Sequence, residues 1–342
     1  IERGKRDVKA VELVALAKAL HWTLTDLLME NEEEEEAPVI AWRQKPADEA
    51  QIAQSRAYFL RLCENYALAV SWADAKQEAH LPTLEPPKRF DFIWARQAAE
   101  EIRKEMGLGS IPAAELVQTL EERYSVKILF IEDLPGAAIS AHGAFGVAMA
   151  LKANDAPWRR NYSLAHELFH LLTWDFLGPE TFEDDDAIWS EHIESLANTF
   201  ASSLLLPEAS VRTAFERRRA ENSISWQGLI GIAREFAVST EALLWRFVSL
   251  NILKERAVRD LLDNPVFRAM DRETFPSTEK PNTYPNRFYR LVEQAYLRGE
   301  VSTGRVSEMT GFDLATTHFW LSQLDTEEDE DVGQEKQLVR LA

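Results

Sequence analysis

The sequence predicts a mostly α-helical protein with a small β-sheet, which is an α+β fold. Apolar residues recur at helical spacing over much of the 342-residue chain. Short apolar runs, Val126 to Ile131 and Gly143 to Lys152, indicate strands. Hydrophobic residues make up 46% of the chain, so it is long and apolar enough for two or three domains with buried cores.

The most informative helix is predicted around the run Asn161 to Leu172, in which leucines recur at helical spacing. His166 and His170 are four residues apart, so they share a helix face and can offer ring nitrogens to one metal ion. Glu167 then lies beside the metal without binding it. This is the H-E-x-x-H arrangement of zinc peptidases, in which the glutamate takes a proton from the attacking water.

A catalytic zinc site also needs a third protein ligand and one open position. A second helix is predicted just before Pro207, which would end it. On this helix Glu194 shares a face with Ala197 and Ala201, and the two alanines allow a neighbouring helix to approach closely. Glu194 is therefore the preferred third ligand, and Asn198 on the same face could orient a ligand.

Other acids and one histidine are alternatives for the third ligand, and they lie in a loop or at the helix entry. Glu194 itself could be an ordinary exposed helix carboxylate, which is the usual place for glutamate. The two histidines favour the ligand role. The alternatives are His192, Glu191, Asp184, Asp185 and Asp186.

These residues resemble a known family. The run from Asn161 to Leu172, followed by Glu194-x-x-Ala197-Asn198-x-Phe200-Ala201-x-x-Leu204-Leu205-x-Pro207, resembles the ImmA/IrrE family of zinc metallopeptidases. The likeness covers about residues 90–255. Several members are bacterial or mobile-element proteins that cleave, or promote cleavage of, a helix-turn-helix repressor.

The resemblance implies a zincin-like core in which His166, His170 and Glu194 bind zinc and Glu167 is the general base. Many members have glycine where this chain has Phe169. Because Phe169 is expected to face away from the two histidines, we expect altered packing and a retained site.

Residues 1–30 resemble the second half of a Cro-type helix-turn-helix domain of the xenobiotic-response-element (XRE) family. The order Glu2-Arg3-Gly4-Lys5, then leucines and alanines up to Leu28, carries the likeness. In that family most base-reading residues would precede Ile1, so DNA binding is expected only of a complete N-terminal unit. A plain helical hairpin would show the same amphipathic spacing.

The rest of the chain is divided by composition. Glu32 to Glu36 are five consecutive acids, which are typical of a solvated linker. The predicted segments are 31–47 as an acidic linker, 48–89 as a helical connector, 90–206 as the metallopeptidase core, 207–255 as a helix-turn-helix-like unit, 256–285 as a linker, 286–327 as a C-terminal helical unit and 328–342 as an acidic tail.

The strand just upstream of the histidine helix is a candidate for substrate binding. In zinc peptidases an edge strand near the metal commonly pairs with an extended substrate, and Gly146 to Leu151 could be that strand or simply a core strand. Arg159, Arg160 and Tyr162 are near the metal in sequence and could stabilise an oxyanion, although surface or capping roles are the more ordinary ones.

The predicted function is that of a zinc-dependent endopeptidase acting as a regulator, which hydrolyses a peptide bond in a repressor or antitoxin-type protein when a stress signal arrives. Mn²⁺ could replace Zn²⁺. The alternative is a DNA-binding transcriptional regulator or an antitoxin whose metal site is a sensor or a relic.

Composition sets the outer bounds. A net charge of −19 argues against a chain dominated by nucleic-acid contact. No apolar run approaches the roughly 18–20 residues of a membrane span, and the single cysteine, Cys63, suggests a reducing cytoplasm. Oligomers are compatible with these features.

Overall fold

The computed structural model describes residues 8–20, 38–43, 49–72, 80–177, 187–220, 223–274 and 280–325. These residues are mostly helical and include one four-stranded sheet, which confirms the predicted α+β class. No helix among them is long and apolar enough to cross a membrane.

The first half of the chain contains all four strands of the sheet and the helices Glu49–Trp72 and Pro157–Leu172, which pack on it. Its elements in chain order are α1 (Ala10–Leu20), β1 (Val39–Arg43), α2 (Glu49–Trp72), α3 (Phe92–Glu105), a 3₁₀ turn (Pro112–Ala114), α4 (Leu116–Tyr124), β2 (Lys127–Ile131), β3 (Ala138–Gly143), β4 (Gly146–Lys152) and α5 (Pro157–Leu172).

The second half is helical throughout its described residues. Its elements are α6 (Trp174–Leu177), α7 (Ala187–Leu205), α8 (Glu208–Arg218), α9 (Trp226–Glu235), α10 (Thr240–Ser249), α11 (Glu255–Asp263), α12 (Pro265–Glu273), α13 (Asn286–Leu297), α14 (Thr303–Thr310) and α15 (Leu314–Asp325).

The sheet has the strand order β1-β3-β4-β2. β2 is parallel to β4, whereas β3 is antiparallel to both β4 and β1. Because side chains alternate along a strand, the sheet presents two apolar faces. Ala138, Met149 and Leu151 belong to one buried core, and Ile139 and Ala150 belong to a second core on the opposite face.

Each face of the sheet is covered by helices. α5 packs on β3 and β4, and α7 packs on α5 and α3, so the first core lies among these elements. α2 packs on β2 and β4 from the other side and is covered in turn by α13. The sheet thus fixes α5, which carries the histidine pair, on one of its faces.

The second-half helices begin where the sequence supplies caps. The Ser225 hydroxyl accepts a hydrogen bond from the Gly228 amide at the start of α9, and Ser239 does the same for the Ala242 amide at the start of α10. These helices follow the predicted helix-turn-helix pattern. The role of that unit stays a prediction.

The segment 256–285, expected to be a linker, differs from that expectation over its first part. It contains α12 and nearly all of α11. Val258 of α11 and Phe267 of α12 are both buried in the first core. The proline, asparagine and threonine residues that indicated a linker are concentrated beyond these helices. An amphipathic pattern in 255–273 was present and outweighed the composition.

Two other expectations differ from the structure. β1 lies inside the segment 31–47 that was predicted to be an acidic linker. Gly146 to Leu151 is not an edge strand, because β4 is paired on both sides and its residues Ala148 to Ala150 are fully buried. Its alternative interpretation, a core strand, is therefore the one that holds.

Several predictions fall outside the described residues, among them Glu32 to Glu36, Asp184 to Asp186 and the tail at 328–342. Of the segment 1–30, residues 8–20 are described, and most of them form α1. The helix-turn-helix assignment there stays a prediction, as does the division of the chain into domains.

Candidate metal centre

α5 is a helix because its apolar residues recur on one side and Pro157 occupies its first turn, where no amide hydrogen bond is lost. Leu164 and Leu168 are fully buried in the first core, as the leucine spacing predicted. Burial of this stripe orients the opposite side of the helix toward α7. That side carries His166 and His170.

α7 supplies the second wall of the site. Ala197 and Ala201 are fully buried, which lets α5 and α7 approach closely. The helices run in opposite directions, because Tyr162 contacts Asn198 while His170, two turns further along α5, contacts Glu194. The carboxylate of Glu194 therefore lies beside both imidazoles.

Three potential ligand atoms converge at this point. His166 Nε2 lies 3.1 Å from His170 Nε2 and 3.2 Å from Glu194 Oε2, and His170 Nε2 lies 3.3 Å from Glu194 Oε1. Two ligands of a tetrahedral Zn²⁺ with bonds of about 2.0–2.1 Å lie roughly 3.3–3.4 Å apart. Within the described residues this is the one group of three such side chains with the spacing of a metal site.

The other nitrogen of His166 is held by Asn198. His166 Nδ1 lies 3.1 Å from Asn198 Oδ1, an amide oxygen that can only accept, so Nδ1 carries the hydrogen. When the His166 ring is neutral, its lone pair is therefore on Nε2 and points at His170 and Glu194. Asn198 thus selects the tautomer that a metal ligand needs.

The charge on Glu194 is favoured by its neighbours. Burial opposes ionisation of this carboxyl, but hydrogen bonds with His166 and His170 and their charges outweigh it and hold its pKa well below the usual range. An anionic carboxylate beside two imidazole nitrogens is a donor set typical of zinc sites.

Glu167 is buried next to this group, with 1% of its surface exposed. Its Oε1 is enclosed and has no hydrogen-bond partner among the described residues. A buried carboxylate oxygen without a partner is costly, so such an atom is expected at a place where a bound species supplies the missing contact. The four residues together therefore fit a metal site with a base beside it.

The alternative ligands lie elsewhere. The His192 ring bonds through Nε2 to the carbonyl of Phe90 at 2.8 Å, and Glu191 is exposed. Asp184, Asp185 and Asp186 lie outside the described residues. Arg160, considered for oxyanion binding, donates instead to the carbonyls of Ala153 and Asp155.

Phe169 packs away from the open side of the site, as the spacing predicted. Its ring is buried between Trp94 of α3 and Phe200 of α7, at centroid distances of 5.8 and 5.5 Å. It also meets the His170 ring at 5.7 Å in an edge-on arrangement. An aromatic residue at this position thus supports the His170 ring, which the sequence alone did not indicate.

Tyr162 has a role that sequence reasoning missed. Its hydroxyl donates to the Asn198 carbonyl at 3.1 Å and approaches Asn198 Oδ1 at 3.4 Å. The signal was available in principle, since Tyr162 precedes His166 by four residues and Asn198 follows Glu194 by four. In antiparallel helices such residues meet one turn away from the His170–Glu194 contact.

Comparison with known families supports the resemblance found in the sequence. Residues 121–247 match the family model described as Peptidase_M78, IrrE N-terminal-like domain. The matched span contains α5 and α7 with all four residues of the site, and it excludes β1. The helix-turn-helix unit at the N-terminus has no counterpart in this match and stays a prediction.

A solved structure described as a Mycobacterium tuberculosis transcriptional regulator is similar over 54% of this chain and 51% of that chain. The sequence identity is 17% and the TM-score is 0.35. The chain thus spans about half the length of that structure. No curated protein matches the chain.

Proposed function

We propose that this protein is a zinc-dependent endopeptidase that acts as a regulator by hydrolysing a peptide bond in a repressor or antitoxin-type protein. The observation that carries the proposal is the convergence of His166, His170 and Glu194 at 3.1–3.3 Å, with the buried carboxylate of Glu167 beside them. The match of residues 121–247 to a peptidase family model supports it.

In this proposal His166, His170 and Glu194 hold the ion. When bound, the ion supplies a Lewis acid that polarises the scissile carbonyl and activates water for attack. Zn²⁺ suits two imidazoles and one carboxylate, and Mn²⁺ can occupy the same donors. Asn198 keeps the His166 ring in the required tautomer and orientation.

Glu167 moves the proton. Its enclosed Oε1 accepts a proton from the attacking water and returns it to the leaving amine as the peptide bond breaks. Burial strengthens this exchange, because charges interact more strongly where water is excluded.

The regulatory part of the proposal rests on the resemblance to proteins that act on helix-turn-helix repressors. The α1 segment belongs to a predicted N-terminal unit of the same type, and a complete unit could bind DNA. The competing hypothesis, a DNA-binding regulator or antitoxin with a sensor or relic metal site, uses the same ligands without cleavage.

The first test is metal content, measured by elemental analysis on the full chain. One zinc per chain is expected in the wild type, and Glu194→Ala should lose or weaken it. Glu191→Ala is the matched control, because it removes an exposed glutamate from the same helix. Absence of metal under non-chelating conditions would favour the competing hypothesis.

The second test separates a peptidase from a sensor. Glu167→Gln should keep one zinc per chain but no longer cleave a peptide library. Mass spectrometry of the library detects the cleavage products. If the Gln variant cleaves the same bonds as the wild type, Glu167 is not the base. If the wild type holds zinc and cleaves nothing, the sensor hypothesis is preferred.

A further inference from the structure

β3 is the strand at the border of the unit that carries the candidate metal centre. The strands β2, β4 and β3 all lie within the family match at 121–247, and α5 packs directly on β3 and β4. On β3 the residues Ala138, Ser140 and His142 share the face that α5 covers. The outer edge of β3 is therefore the sheet edge beside the helix with both histidines.

That edge is occupied by a strand from a distant part of the sequence. β1 pairs with β3 antiparallel, from Val39 opposite His142 to Arg43 opposite Ala138. Five of the six residues of β3 are paired in this way, so β1 covers nearly the whole edge. β1 lies about 80 residues before the start of the family match, so it is an addition to that unit.

β1 is held on β3 by backbone pairing along its whole length. Ile40 packs against the second core, and Arg56 Nη2 approaches the Pro38 carbonyl at 3.5 Å, which is a long contact. Gly143 permits close approach at one end, because a Cβ there would lie 3.0 Å from Pro38 Cβ. Because the backbone groups of β3 pair with any extended chain, another strand can take the place of a short edge strand such as β1.

The opposite edge of the sheet offers no equivalent surface. Phe130 of β2 donates its amide to the carbonyl of Thr283 at 2.8 Å, so the segment before α13 contacts that edge. β2 packs beneath α2 and α4 and is separated from β3 by β4. An extended peptide that must lie beside α5 therefore has to pair with β3.

We infer that the outer edge of β3 is the surface on which an extended substrate segment pairs, and that β1 is a resident strand that keeps this edge closed. This inference rests on the proposed function and specifies its substrate class. The substrate is an unfolded or loop segment of about five residues with an exposed backbone, and β1 must leave before it binds.

The competition is unequal because β1 is tethered. Because β1 belongs to the same chain as β3, its effective concentration at this edge is high, on the order of millimolar for a segment joined to its site, so a free peptide of equal intrinsic affinity is largely excluded. If β1 occupies the edge 90–99% of the time, its release should raise the apparent affinity for a peptide about 10- to 100-fold. While β1 is paired with β3, other polypeptides therefore have little access to this edge and are cleaved slowly.

Proline substitution tests the inference in the full chain. Amides of consecutive strand residues point to opposite sides, so one of the variants Ile40→Pro and Ala41→Pro loses an amide that faces β3, and the other loses one that faces outward. The outward variant is the matched control. Circular dichroism and zinc content should be the same for both.

The readout is binding of a labelled peptide Pro-Val-Ile-Ala-Trp-Arg, the sequence of residues 38–43, followed by fluorescence anisotropy. One proline variant should bind it roughly 10-fold or more tightly than the wild type and the other variant. A peptide with N-methyl groups at alternate amides should not bind, because it cannot pair. Equal binding by the wild type and both proline variants would overturn the inference.

A clamped variant guards against a proline variant that fails to fold. Val39→Cys with His142→Cys places two thiols at paired positions of β1 and β3, and the native Cys63 is buried. Oxidation should abolish the residual peptide binding, and reduction should restore it to the wild-type level. Unchanged binding in the oxidised form would show that peptides bind elsewhere.

These measurements need no catalysis, since they can be made on Glu167→Gln protein or without zinc. If the metal tests fail but release of β1 exposes a peptide-binding edge, the edge assignment stands without the peptidase. If zinc binding and cleavage are found but the proline variants bind and cleave like the wild type, the resident-strand inference alone fails.

Discussion

Two polar groups lie between helices in this protein, and they differ in whether a hydrogen-bond donor meets an acceptor. Between α2 and α4, the Tyr66 hydroxyl donates to Glu121 Oε1 at 2.8 Å, so a donor meets an acceptor. Between α5 and α7, the lone pair of His166 faces the carboxylate of Glu194 and the ring of His170. The first pair is one donor and one acceptor, whereas the second brings three side chains of metal-ligand type together and fits a cation.

The difference teaches how a site can be distinguished from a structural contact. Glu121 is buried and Glu194 is half-exposed beside the buried His166, and the pKa of the two carboxyls shifts in opposite directions. Burial raises the pKa of Glu121 to about 8, while hydrogen bonds and charges from two histidines outweigh burial and lower the pKa of Glu194. A carboxyl that keeps its proton stabilises packing, whereas a carboxyl held ionised beside two imidazoles can bind a metal ion that takes the place of the ring protons.

The largest effect should come from removing a ligand. His166→Ala should lower zinc affinity by more than about 100-fold, beyond the 10- to 100-fold typical of groups that only orient ligands. His192→Ala is the control, because that ring bonds to a backbone carbonyl and lies outside the group of three. Competition with a zinc chelator measures both. Equal affinities would remove His166 from the ligand set.

The second prediction concerns the completed pair. Glu121 titrates near pH 8 in the folded protein and near 4.5 when unfolded, so the folded state holds its proton between these values while the unfolded state loses it. Its contribution is fully present below about pH 4.5 and is lost as pH rises through about 8. Glu121→Gln cannot ionise and should lack this loss.

Urea unfolding at pH 5, 6, 7 and 8 measures the difference. The free energy of unfolding of the wild type should fall relative to Glu121→Gln by about 2–4 kcal/mol across this range, since one pKa unit corresponds to about 1.4 kcal/mol. Glu122→Gln is the control, because Gln118 and Arg290 lower the pKa of that exposed carboxyl and keep it ionised throughout. Parallel curves for wild type and Glu121→Gln would contradict the assignment.

The sequence was sufficient to predict which side chains converge at the candidate metal centre, because this depends on short-range spacing. His166 and His170 share a face through helical periodicity, and Glu194 was selected by two alanines on its own helix. The same reasoning predicted β2 closely, from the apolar run Val126 to Ile131. These features depend on residues within a few turns of one another, which a single sequence displays.

Long-range pairings were not predictable in this way. β1 is a five-residue strand beside an acidic run, and its partner β3 lies about 95 residues further on, so its local composition indicated a linker. Tyr66 and Glu121 are 55 residues apart, and the local sequence of neither helix indicates that they are in contact. α11 and α12 were missed because composition was given more weight than amphipathic spacing.

A third prediction tests whether the metal group needs its support. Asn198→Ala removes the oxygen that fixes the His166 tautomer, and zinc affinity should fall about 10- to 100-fold. Ser195→Ala is the control on the same helix, since its hydroxyl bonds to the carbonyl of Glu191. An unchanged affinity in Asn198→Ala would mean that His166 is held by packing alone.

The smallest effect should come from the group one contact further out. Tyr162→Phe removes a hydroxyl that donates to the Asn198 carbonyl and lies 3.4 Å from its Oδ1. A hydrogen bond contributes about 0.5–1.5 kcal/mol, and only part of it reaches His166, so zinc affinity should fall about two- to fivefold. Tyr124→Phe on α4 is the control and should leave affinity unchanged.

Because Tyr162 acts through Asn198, the double variant Tyr162→Phe with Asn198→Ala should bind zinc as Asn198→Ala does. Additive losses would instead show that Tyr162 affects zinc binding by a route that does not pass through the Asn198 side chain.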